Sequence, residues 1–142
     1  MPNKKIIVIH RAFSENACPV CEITFQTDLV DIDALEKAYK MTQNIDTSWS
    51  NPVQESNIKL ITDLPKNKEG KKLGFGSTSI GDLAVIEDES GIKFYQCASV
   101  GWGRLGVLEF LKILSITNKK DLADYIDLLY LEEEEGITLK GR

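Results

Sequence analysis

An α+β fold follows from three features of this 142-residue sequence: two β-rich runs near the N-terminus, a hairpin signature around Ser90, and helical periodicity in separated stretches. The expected architecture is a small, mainly antiparallel sheet with one helix from the N-terminal half and two C-terminal helices packed on it. Lys4–His10 reads Lys-Lys-Ile-Ile-Val-Ile-His, rich in β-branched residues, and Glu22–Thr27 alternates apolar and polar side chains. Between them Ser14-Glu15-Asn16-Ala17-Cys18-Pro19 is turn material, which lets the two runs pair as a hairpin.

Asp31 and Asp33 then place negative charge at the start of a helix reaching about Gln43, with Ile32, Leu35, Ala38, Tyr39 and Thr42 on one face. Ser48-Trp49-Ser50-Asn51-Pro52 breaks that pattern, and Ile58–Thr62 is a short strand candidate. Asp63–Gly76 is polar, basic and glycine-bearing, the composition of a mobile loop. Leu83–Glu87 and Ile92–Ser99 are strands joined through Asp88-Glu89-Ser90-Gly91. Leu105–Ile116 is apolar nearly all round, so that helix is expected to be buried. Asn118 can cap a last helix that turns Leu122, Ile126, Leu129 and Tyr130 inward. Glutamates at a helix C-terminus oppose its dipole, so the helix is expected to stop near Leu131, with Glu132–Glu135 beyond.

The length suits a single domain spanning residues 1–142, and 42% apolar with 27% charged residues is ordinary for a globular chain. No apolar run approaches the roughly 20 residues of a membrane span, and Met1-Pro2-Asn3-Lys4-Lys5 leads into too short an apolar stretch for a secretory signal. Three cysteines, an odd number, argue for reduced thiols and a cytoplasmic protein. The net charge of −5 is uneven. Residues 1–72 sum to zero, whereas 73–142 carry seven bases against twelve acids. Asp121, Asp124, Asp127, Glu132, Glu133, Glu134 and Glu135 fall in one stretch without a base. Such a surface repels nucleic acid and attracts basic partners, although a solvated face serving solubility is the simpler account.

Gly101-Trp102-Gly103-Arg104-Leu105-Gly106 matches G-x-G-x-x-G between an expected strand and an expected helix. A dinucleotide site also needs a second parallel strand ending in an acid about twenty residues on, where this chain reads as helix. Trp102 and Arg104 are bulky for a turn that approaches pyrophosphate, and glycines ending a strand before a buried helix explain the pattern without a ligand. Cys18-Pro19-Val20-Cys21 is half of a zinc knuckle that Cys97 and the only histidine, His10, could complete if their strands were neighbours. Without a second Cys-x-x-Cys, incidental thiols are the simpler reading, and no metal or cofactor is expected. With one histidine and no Gly-x-Ser-x-Gly elbow, no general acid–base or nucleophilic centre is expected. Lys66, Lys68, Lys71 and Lys72 form the only basic cluster, with no aromatic until Phe75 to support base stacking.

Ser77-Thr78-Ser79-Ile80-Gly81-Asp82-Leu83-Ala84-Val85-Ile86, followed by Phe94-Tyr95-Gln96-Cys97-Ala98-Ser99-Val100-Gly101-Trp102, resembles the core of the YodL-like domains of bacteriophages, plasmids and integrative elements. Ala38–Ser50 is similar to a segment of small phage proteins with the same core. The resemblance covers residues 35–105 or so, leaving 106–142 as an acidic helical extension. It implies an accessory protein that acts on host machinery by binding, without a settled activity to transfer. The functional expectation is a non-enzymatic, mobile-element interaction protein that inhibits a host defence or nucleic-acid-handling protein, one with a basic surface, through its acidic face. The alternative is a small-molecule or nucleotide-binding domain using Gly101–Gly106 and the Lys66–Lys72 loop.

Overall fold

The computed structural model describes residues 3–12, 17–26 and 28–115. Within them β1 (Lys4–His10) and β2 (Cys18–Phe25) lead to α1 (Asp31–Met41) and β3 (Ile58–Leu60). Then follow β4 (Leu83–Asp88), β5 (Gly91–Cys97), β6 (Trp102–Leu105) and α2 (Val107–Ser115). The six strands form one sheet in the order β3-β2-β1-β4-β5-β6, every neighbouring pair antiparallel. Two three-strand runs therefore meet along β1 and β4, the central pair. The α+β class holds, and β1 has the expected bounds. The hairpin at Asp88–Gly91 also forms, with Gly91 at φ 115 and the Asp88 carboxylate accepting from the Ser90 backbone N–H.

Successive side chains of a strand point to opposite faces, and here both faces are covered. Ile6, Val8, Ala84, Ile86 and Tyr95 pack with Ala34, Leu35 and Ala38 of α1. Ile9, Leu83 and Leu105 pack with Phe110 and Ile113 of α2, and the Phe94 and Phe110 rings lie 4.4 Å apart. The result is three layers, helix on sheet on helix. The register shifts between Val8 and Ile9, so Val20 and Cys21 are both fully buried although adjacent, as a β-bulge allows.

Several expectations need correction. The second strand begins at Cys18, so Cys-x-x-Cys lies in the sheet, where the core takes up Val20 and Cys21; it is not in the turn before it. The buried stripe of α1 is Ala34, Leu35 and Ala38, with Thr42 buried just beyond; Ile32 faces solvent because the helix is rotated toward Ala34. Trp102–Leu105 is a strand on β5, so Gly101 makes a β5–β6 turn at φ 70 and the sheet does not end there. The helix then starts at Val107. It is amphipathic, not buried all round: Val107, Leu108 and Leu111 are 53–62% exposed. A helix lying on a sheet can bury only the stripe that meets it. The second C-terminal helix, capped by Asn118, lies outside the described residues. No helix among the described residues is long and apolar enough to cross a membrane.

Candidate functional site

Polar side chains converge where β1 ends beside the loop entering β4. Asp82, 2% exposed, accepts from the backbone N–H groups of Arg11 (2.7 Å) and Ala12 (2.9 Å) through Oδ1, and of Ser79 (2.8 Å) through Oδ2. One carboxylate thus closes its own turn and fastens the end of β1. His10 Nε2 stands 3.1 Å from Thr78 Oγ1 and 4.0 Å from Asp82 Oδ2. Burial lowers the His10 pKa, against the opposing pull of Asp82. Threonine, histidine and aspartate are the ingredients of a triad, but here both partners face the same ring nitrogen. Thr78 is buried and shares its hydroxyl with Thr42 at 2.7 Å. A nucleophile needs its base on one nitrogen and an orienting acid on the other, with access for substrate. The arrangement instead locks three chain segments together.

Residues 42–50 pack on residues 75–78 at this point. Asn44 donates to the Phe75 carbonyl (2.9 Å), Trp49 Nε1 to the Gly76 carbonyl (2.8 Å), and the Phe75 N–H to Ser50 Oγ (2.7 Å). The Trp49 and Phe75 rings stack at 6.0 Å and flank His10 edge-on. A Cβ at Gly74 would lie 2.3 Å from Ser48 Oγ, so a larger residue there requires the Ser48 hydroxyl to turn away from the Asn51 N–H it accepts from. The basic stretch expected to be mobile is a hydrogen-bonded turn: Asn67 Oδ1 accepts from Glu69 and Lys71, and Asn51 donates to the Lys72 carbonyl.

At the same end of the sheet, where Cys97 closes β5 against Gly81 and Asp82, the chain builds a small cavity of about 170 Å³. Glu36 and Tyr39 of α1 line it with Ile80, Cys97, Ala98, Ser99, Gly101 and Trp102. Gly101 and Trp102 were candidates from sequence; Glu36 and Tyr39 carried no signal, because only the docking of α1 brings them to the β5–β6 turn. A phosphate would meet the Glu36 carboxylate here, which opposes the nucleotide reading of this turn. Gly103 and Arg104 do not line the cavity, and Arg104 sits over the Tyr95 ring, 5.6 Å from its centroid. The Lys66–Lys72 turn contributes nothing to it.

His10, Cys18, Cys21 and Cys97 do not converge. His10 and Cys18 are paired across β1 and β2, but Cys97 lies on β5, three strand positions from β2, roughly 14 Å at about 4.8 Å per strand. Burial pushes the Cys21 and Cys97 thiols up to about 12, far from the thiolate a metal or a redox step requires. No cluster of three or more His, Cys, Asp or Glu that could hold a metal occurs among the described residues. Asp121, Asp124, Asp127 and Glu132–Glu135 lie outside the described residues.

No protein-family model matches the chain, and no curated protein or solved structure does either.

Proposed function

We propose that the chain is a non-enzymatic interaction protein of a phage or other mobile element, which binds and inhibits a basic host protein through its acidic C-terminal segment. On this reading it acts in the bacterial cytoplasm on a defence or nucleic-acid-handling protein. The observation that carries the reading is the run of seven carboxylates without a base between Asp121 and Glu135. Such a display offers a basic groove the charge pattern it normally finds on a nucleic acid. A second support comes from the interior, where Asp82, Thr42, Thr78 and His10 are committed to holding loops. The resemblance to YodL-like domains points the same way.

The test is capture from bacterial lysate by the tagged full chain and by D121N/D124N/D127N. The reading expects one or a few basic proteins retained by the parent and released by the variant, with the two chains equally stable to heat. Equal retention by both would remove the acidic segment from the account.

A further inference from the structure

The cavity beside the β5–β6 turn has a chemistry of its own, independent of the acidic C-terminal segment. Its volume of about 170 Å³ is the liquid share of five or six waters, too small for a nucleotide but sufficient for one compact head group. Two half-buried aromatic side chains, Tyr39 and Trp102, line it together with the half-buried carboxylate of Glu36. Glu36 makes no hydrogen bond or ion pair among the described residues. Trp102 is held by pairing with Cys97 across the sheet and by packing against the α1-side core. Gly101, at φ 70, brings the turn so close that a Cβ there would lie 4.0 Å from Glu36 Oε1. Aromatic side chains and a carboxylate around a small space attract a cation and reject an anion.

We propose that this cavity is a binding site for a compact organic cation, an alkylammonium or guanidinium group such as a lysine or arginine side chain carries. The carboxylate of Glu36 pairs with the charge while the rings of Tyr39 and Trp102 cover its apolar flank. The cavity wall already registers this negative field: besides burial, Asp82 and Glu36 both push the Cys97 thiol upward.

The test follows the indole N–H resonances of the full-length ¹⁵N-labelled chain. Trp102 lines the cavity, whereas Trp49 is tied to the Gly76 carbonyl and serves as the internal reference. Titration with acetyl-arginine amide and with n-butylammonium is expected to shift the Trp102 indole and the Gly101 amide, with a dissociation constant on the order of 1 mM. The Trp49 signal should stay in place. Tighter binding of the blocked arginine assigns the site to a guanidinium group; equal or tighter binding of butylammonium assigns it to an alkylammonium group. Acetyl-citrulline amide, the neutral isostere, is expected to move nothing, and E36Q to weaken cation binding about tenfold or more. Equal shifts with citrulline, or none with either cation, would overturn the proposal on the parent chain alone.

Discussion

Asp82 shows how much one buried carboxylate can organise. Its two oxygens satisfy three backbone N–H groups from two segments, Arg11–Ala12 and Ser79. Replacing it with alanine strands those donors, and D82A is expected to lose roughly 3 kcal/mol in urea or thermal unfolding. His10 answers to pH. Its pKa in the folded chain lies below the ordinary 6.5, so the unfolded chain takes up a proton first as the medium is acidified. The stability this neutral histidine preserves is complete above pH 6.5 and falls as the pH drops below that value. Melting temperatures across that range should decline for the parent and decline less for His10→Gln; parallel curves would remove His10 from the acid response. Gly74 is set by contact, since a Cβ would lie 2.3 Å from Ser48 Oγ. Gly74→Ala is expected to cost about 1–3 kcal/mol, and Gly74→Ala with Ser48→Gly less than the sum of the two.

At the scale of elements, what could be read from sequence was whatever depends on neighbours along the chain. β1, the β4–β5 hairpin and the acidic first turn of α1 were all legible, because strand composition, a tight turn and helix polarity are local. The misreadings were tertiary. The run Gly101–Gly106 looks like a strand end because it holds three glycines, yet pairing with β5 makes Trp102–Leu105 a strand. The apolar α2 looks wholly buried, yet the sheet covers only its Phe110–Ile113 side. That asymmetry is measurable: Phe110→Ala should cost about 3–5 kcal/mol, whereas Leu108→Lys should change stability by no more than about 0.5 kcal/mol. A large loss from Leu108→Lys would mean that this side of α2 is covered after all. The cavity at Trp102 was half legible, since Gly101 and Trp102 drew attention but Glu36 and Tyr39 lie more than sixty residues away.

For the molecule as a whole, the sheet is closed by a helix on each face and its edge strands β3 and β6 are short. Short edges limit unwanted strand pairing, which suits a stable platform. The charge balance divides the chain: residues 1–72 are neutral overall, and the excess of acid lies after them. On the proposed function, the acidic segment meets a basic partner, and attraction between opposite charges sets the affinity. The most direct test is the salt dependence of that binding. For a captured partner, raising salt from ~0.05 M to ~0.5 M should weaken the parent's affinity by about tenfold or more, and D121N/D124N/D127N should bind weakly at every salt concentration. Affinity that stays constant with salt and is shared by parent and variant would contradict the account.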